Sequence, residues 1–370
     1  INATGDLTTV LASSTTTGVL TLTGAGDIGL GQIINGIDSV AATGHSGATT
    51  MTLAANNADA TYAFGSGNDV ITTSDDGFAT SDGFAVDGGD GTDILILAAA
   101  ADLDTAAEAA RYTNFDTVRT SDNLDLDLTT WATGIQLGGA SSKTYSDMTA
   151  TQAANIQIRG DETSATFDLK AATGSADVLS LTMGTGTTTS AATDIVTGMT
   201  VTGFETLNIA ENGGATATAG ANRTAIIAAF TGATLNDINL TGRAVTLSNL
   251  ATTVAVDIDG TALTGNGNTG TSTQGLTVSG SAVAGSTIRG SEVNDSFTIG
   301  AEGSTYLGNG GTDAFSATAT LISADGATDL SLDGGAGTDT LTLTNTTGNT
   351  LTDTHFVNLS NMEGLTLTNT

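Results

Sequence analysis

Apolar residues in this chain recur at every second position over short runs, and glycine, asparagine and aspartate separate the runs. Gly18–Thr23 (GVLTLT), Asp93–Leu97 (DILIL), Leu124–Thr129 (LDLDLT) and Val245–Leu250 (VTLSNL) are examples. Val254–Ile258 (VAVDI), Gly275–Ser279 (GLTVS) and Thr340–Thr344 (TLTLT) extend the set. A period of two turns one face of a strand to a core and the other to solvent. Short strands that return every ~10 to 20 residues, with tight-turn residues between, predict an all-β chain and leave no room for repeated βαβ units. A sandwich, a barrel or a solenoid satisfies the pattern. Helix is expected only as interruption: over Ala98–Tyr112, within Ala217–Phe230, and for a turn or two in Thr352–Leu359.

The chain also echoes itself. Asn114–Val118 (NFDTV), Gly203–Ile209 (GFETLNI) and Asn361–Leu367 (NMEGLTL) each join an aromatic residue or methionine to an acid and then a strand. Each follows an Asp-bearing turn, at Asp93, Asp177 and Asp339 respectively. A second echo pairs Ile158-Arg159-Gly160-Asp161-Glu162 with Ile288-Arg289-Gly290-Ser291-Glu292. Repetition with insertions predicts stacked supersecondary units rather than a regular array. Four segments follow: a β-rich lead-in over 1–60, a first turn-rich region with a helical insertion over 61–130, a β-rich centre over 131–285, and a second turn-rich region over 286–370.

Composition narrows the chemistry. The 370 residues include 74 threonines and 49 glycines, no proline and no cysteine, and 39 acids against 8 Lys and Arg, for a net charge of −31. Such a chain is repelled by nucleic acid and by anionic membranes. Without cysteine there is no disulfide, thiolate metal site or cysteine nucleophile. His45 and His355 stand alone in sequence and read as packing or surface residues, and no phosphate loop or GxSxG elbow occurs, so no enzyme is expected. No apolar run is long enough for a transmembrane helix. Starting at Ile1 without an initiator Met, the sequence is expected to be a piece of a longer polypeptide.

The strongest chemical signal is a turn of the form Gly-Gly-x-Gly-x-Asp-x-apolar. Gly88–Leu95 (GGDGTDIL) and Gly334–Leu341 (GGAGTDTL) are complete, Gly308–Phe315 (GNGGTDAF) is close, and Gly65–Ile71 (GSGNDVI) lacks the first glycine. Degenerate copies place acids at Asp177 and Asp295. Successive glycines permit positive φ and gather carbonyl oxygens, Asp adds charge, and the apolar residue enters the core. Hard oxygen donors without soft ones select Ca²⁺, and one turn supplies only half a shell, so a neighbouring turn must stack on it. The candidate ligands are Asp69, Asp93, Asp313 and Asp339, with Gly65, Gly67, Gly89, Gly91, Gly311, Gly335 and Gly337 as carbonyl or turn positions. Asp87, Asp90, Asp177, Asp295 and Asp333 are further candidates. Asp75, Asp76 and Asp82 crowd the first region as extra ligands or solvated acids. Asp125 and Asp127, two apart in an expected strand, either face solvent or form a cation-binding strip.

These turns resemble the calcium-binding repeats of RTX proteins, which Gram-negative bacteria secrete through type I exporters. The Thr-, Ala-, Gly- and Asp-rich background without Cys is similar to the crystallising region of RTX-type bacterial surface-layer proteins, including that of Caulobacter. The resemblance implies an elongated β-solenoid or sandwich-like body with several Ca²⁺ ions. It also implies secretion to the bacterial surface and self-assembly into a two-dimensional lattice. Anchoring to a surface polysaccharide or lipopolysaccharide would fall to a part outside this chain. A stiffened segment of a large RTX adhesin, or the non-catalytic part of a secreted exoenzyme, are the alternatives.

Overall fold

The computed structural model describes residues 1–9, 18–32, 37–53, 59–73, 84–138, 141–184, 193–212, 224–266, 273–281, 283–323, 330–346 and 351–368. Asp75, Asp76 and Asp82 lie outside the described residues. The chain divides into two compact units, Ile1–Ile156 and Gln157–Thr370. Each is a mostly parallel, multi-sheet β structure with a few short helices.

In the first unit, strands as far as Thr117–Thr120 alternate between two sheets, while Leu124–Asp125 and Ser142–Met148 pair with each other in a third. Asn2–Ala3, Gly18–Gly24, Ile37–His45, Thr61–Ala63, Ala85–Asp87 and Tyr112–Thr113 pair in that order in one. The intervening strands Leu7–Thr9, Ile28–Gln32, Thr49–Thr52, Val70–Thr72, Ile94–Ile96, Thr117–Thr120 and Gly134–Leu137 pair in the other. Ile94 lies beside Val70, one full circuit of the chain earlier, and Thr117 beside Ile94. The alternation of apolar positions explains why this stacks. Met51, Ile71, Leu95, Val118 and Ile135 fall in register in one inward row, all buried.

The second unit repeats the plan. One sheet runs Val178–Met183, Thr206–Glu211, Asp237–Gly242, Asp257–Leu263, Thr287–Arg289, Thr305–Leu307, Ser331–Asp333 and Leu359–Ser360. Its inward row is Leu179, Leu207, Ile238, Ile258, Ile288, Tyr306 and Leu332. The other includes Val245–Thr252, Gln274–Ser281, Asn294–Ile299, Ala314–Thr318, Thr340–Thr344 and Gly364–Leu367. Here Val278, Phe297, Phe315 and Leu341 align inward, with Phe297 and Phe315 stacked at 5.0 Å. The outward row beside them is Ser279, Thr298, Ser316, Thr342 and Thr366, and the next is Thr277, Ser296, Ala314, Thr340 and Gly364. Those two rows carry no charge, although Asp168, on an earlier strand of the same sheet, faces outward too. The outward face of the partner sheet sets Asp237 directly beside Asp257.

Several sequence expectations give way to local hydrogen bonding. Only Ala100–Asp102 and Ala106–Ala109 of the long expected helix are helical, and Tyr112–Thr113 is a strand pairing with Val86 and Asp87. Asp102 accepts from the Ala99 N–H and the Thr73 hydroxyl, while Glu108 accepts from the Asp104 and Thr105 N–H groups at 3.0 Å, so capping breaks the segment in two. The described part of Ala217–Phe230 is strand, at Thr224–Ile227 and from Phe230. The alternating LDLDLT run leaves the sheet at Asp125, whose carboxylate accepts from the Asp127 N–H and starts a 3-10 turn over Leu126–Thr129. Asp125 and Asp127 therefore do not share a strand face. The strand expected over Val254–Ile258 begins only at Asp257. The strands at 245 and 275 are longer than expected, and Thr340–Thr344 matches.

Position within a row decides how much a side chain matters. Phe315 is 1% exposed whereas Leu365, further along the same row, is 53% exposed. Phe315→Ala is expected to lower stability by about 3–5 kcal/mol in urea unfolding, from lost burial plus the cavity. Leu365→Ala should cost less than about 1 kcal/mol.

Candidate functional site

Stacked corners join the two sheets, and glycine builds them. Gly5, Gly26, Gly47, Gly67 and Gly91 lie over one another so closely that a Cβ on any of the last four would collide with backbone of the circuit before. A second row holds Ala3, Gly24, His45, Gly65 and Gly89, with the same collision at each glycine. Parallel backbones about 4.8 Å apart leave no space for a side chain aimed along the stack. The first region is thus a stack of five corners, three of them within the expected lead-in. Those three lack an acid at the aspartate place, which is why the motif missed them; the recurring glycine was the available signal. Gly65 and Gly67 are required by close approach alone. Gly89 and Gly91, at φ 92° and 133°, also use the left-handed region. In the second unit Gly335 presses on Asn309 and Gly337 on Gly311, with φ of 89°, 149° and, for Gly311, 115°.

The corners place the aspartates in ladders. The Thr49 N–H donates to Asp69 Oδ1 at 2.5 Å, the Asp69 N–H to Asp93 Oδ1 at 2.7 Å, and the Asp93 N–H to Asp116 Oδ2 at 2.8 Å. In the second unit the Leu276 N–H donates to Asp295 Oδ1 at 2.5 Å and the Asp295 N–H to Asp313 Oδ1 at 2.7 Å. The Asp313 N–H then donates to Asp339 Oδ1 at 2.8 Å, and the Asp339 N–H to Glu363 Oε2 at 2.7 Å. A shorter pair joins the Asp177 N–H to Glu205 Oε2 at 2.9 Å. Each rung's amide is therefore satisfied by the acid of the next circuit, a charge-assisted bond.

This explains the echo among NFDTV, GFETLNI and NMEGLTL. Asp116, Glu205 and Glu363 accept from Asp93, Asp177 and Asp339, and in each case two N–H groups return to that aspartate's carbonyl. These three acids were absent from the expected ligands. The other echo does not mark one site: Gly290 packs on Asp295, whereas nothing approaches Gly160.

One oxygen of Asp69, Asp93, Asp313 and Asp339 is thus used. Their other oxygen, Oδ2, is buried without a hydrogen-bond partner, as is Oδ2 of Asp177. Asp295 differs, because Ser291 donates to it through its N–H at 2.6 Å and through its hydroxyl. Asp87 and Asp333 shape the two complete corners identically. Asp87 accepts from the Gly89 N–H and the Asn114 amide, and Asp333 from the Gly335 N–H and the Asn361 amide. Asp90 is exposed at its corner tip. Among the described residues, no three His, Cys, Asp or Glu side chains form a metal-holding group. A cation at these corners would draw its remaining ligands from carbonyls and water. The orphaned carboxylate oxygens of Asp69, Asp93, Asp177, Asp313 and Asp339 fit a hard cation, and glycine carbonyls supply the same donor type.

Burial pushes these carboxyls above their ordinary value of 3.8. Asp93 rises to about 7, from burial and then the charges of Asp69, Asp116 and Asp87, even though the Asp69 N–H opposes the shift. Asp313 rises to about 8 and Asp295 to about 6, and Asp69 and Asp339 move the same way, burial being the first cause throughout. A carboxyl raised on folding binds its proton more tightly in the native state. Its contribution is complete below about pH 4 and is lost as pH rises through the folded value. In chelator, the thermal midpoint should therefore fall between about pH 4 and pH 8. A midpoint that rises over that range would contradict the assignment. Gly337→Ala should destabilise by roughly 2–4 kcal/mol in urea unfolding, whereas Gly160→Ala, with open space around it, should stay within about 0.5 kcal/mol.

No protein-family model and no curated protein matches the chain, so the corner geometry carries the functional reading.

Proposed function

We propose that this chain is a calcium-ordered structural protein, each unit of which is β-solenoid-like, and that it associates with copies of itself in a lattice on a bacterial surface. The observation that carries the calcium reading is the orphaned outer oxygen of Asp69, Asp93, Asp313 and Asp339. In this reading Asp69 and Asp93 hold ions with carbonyls of Gly65, Gly67, Gly89 and Gly91, and Asp87 and Asp90 lie nearby. Asp313 and Asp339 do so with Gly311, Gly335 and Gly337, flanked by Asp295 and Asp333, and Asp177 serves with Glu205. Bound calcium supplies charge neutralisation where acids of successive circuits meet, which a chain at −31 with 8 bases cannot provide internally. Millimolar extracellular calcium suits corners of this kind. No catalytic role is proposed. Anchoring to surface polysaccharide or lipopolysaccharide would belong to a part outside this chain.

Self-association is supported by the uncharged hydroxyl rows that run from Thr277 and Ser279 to Gly364 and Thr366. Two copies at −31 repel over most approaches, and along these rows they can meet without opposing carboxylates. Ala, Thr and Ser there present flat β surface without long side chains to immobilise.

Two measurements test the reading. Asp93→Asn and Asp339→Asn should each reduce bound calcium in equilibrium dialysis, and unchanged stoichiometry would refute the ligand assignment. Negative-stain microscopy should show ordered sheets with calcium and dispersed particles in chelator, and Thr298→Lys with Thr342→Lys should abolish the sheets. Monomers under both conditions would instead favour a segment of an adhesin.

A further inference from the structure

His45 ends the strand Ile37–His45 and occupies the corner place that Gly24, Gly65 and Gly89 fill in other circuits. It is 1% exposed, and neither ring nitrogen has a hydrogen-bond partner. A buried imidazole in that state has given up its water and gained nothing polar in exchange, which native interiors rarely tolerate. Two more atoms of the same corner share the condition: Asp69 Oδ2 and Thr49 Oγ1, each on a fully buried residue. The three groups are neighbours. Gly65, four residues before Asp69, stacks directly on the His45 backbone, and the Thr49 N–H donates to Asp69 Oδ1, so one corner holds all three. This is also where the ladder of acids stops, because Thr49 holds the place taken by Asp69 and Asp93 in later circuits. Asp69 therefore has an imidazole and a hydroxyl on this side instead of another carboxylate.

That donor set is wrong for calcium, which takes oxygen, and right for the first-row metals that accept imidazole nitrogen beside carboxylate oxygen. We propose that His45, Asp69 and Thr49 form a binding site for one divalent transition metal of the zinc type. The imidazole contributes a nitrogen lone pair, the carboxylate its orphaned oxygen and charge, and the hydroxyl a neutral oxygen, with water or backbone carbonyl completing the shell. A metal here would satisfy all three buried groups at once and close the end of the first ladder. At this corner the transition metal would take the Asp69 oxygen in place of the calcium proposed there, and Co²⁺ must displace that ion; the proposal does not depend on calcium at the other corners.

The test uses the full chain, stripped by chelator, saturated with calcium and then titrated with Co²⁺. One equivalent should bind, develop a visible d–d band and be displaced by Zn²⁺. His45→Gly installs the residue other circuits carry at this place. It should remove the band and weaken binding by at least the roughly 10–100-fold that loss of an outer-sphere partner costs. Should that variant fail to fold, the unsubstituted protein still decides. With only His45 and His355 in the sequence, imidazole ¹⁵N resonances should show one ring shifting with one equivalent of Zn²⁺, and His355→Gln should retain the shift. Three results would each overturn the proposal: no saturable equivalent in calcium-loaded protein, a His45→Gly variant that binds as the parent does, or a shift that disappears in His355→Gln.

Discussion

Parallel backbones stacked without side chains between them are the constraint on which the other features rest. Once the corner of one circuit lies directly on the next, most places in the two corner rows take a residue without a side chain, as Gly26, Gly67 and Gly91 do, and His45 is the exception in the second row. The amide that follows the corner then points along the stack, where an aspartate of the next circuit accepts it. An apolar residue two places later enters the inward row, as Leu95 and Leu341 do. The motif Gly-x-Gly-x-Asp-x-apolar is thus a description of one rung.

That geometry creates an electrostatic problem. The ladder bond uses one carboxylate oxygen and buries the other, and it sets acids of successive circuits beside one another. Asp93 lies between Asp69 and Asp116, and Asp313 between Asp295 and Asp339. Desolvation and like charge act together there, so each outer oxygen requires either a proton or a cation. Where the chain has neither need, it shows a different solution: Asp295 is satisfied by Ser291 from within its own corner. The exposed acids at the corner tips raise no such demand.

Much of this was legible in sequence, and the remainder was hidden for identifiable reasons. Alternation gave Thr340–Thr344 without error, because both neighbours of that strand pair along its length. It failed at Leu124–Thr129, where an Asp125 side chain competes with the sheet for the backbone. The complete corners at 88 and 334 stood out, while those containing Gly5, Gly26 and Gly47 did not, since stacking preserves the glycine and dispenses with the acid. The acids Asp116, Glu205 and Glu363 were visible as an echo, but what they accept from lies 23 to 28 residues away and appears only with the register. His45 looked ordinary because no ligand pattern surrounds it in sequence; Thr49 shares its corner, but Asp69 comes from the next circuit.

Near pH 7 the buried carboxyls of Asp93 and Asp313 hold a proton in part when metal is absent, and in the proposed reading a bound cation displaces it. Infrared difference spectroscopy on the full chain near pH 7, with and without calcium, reads this directly. The protonated-carboxyl C=O band should be present in chelator and disappear on adding calcium, with protons released in step. A metal-free protein without that band, or calcium binding that releases no protons, would contradict the account.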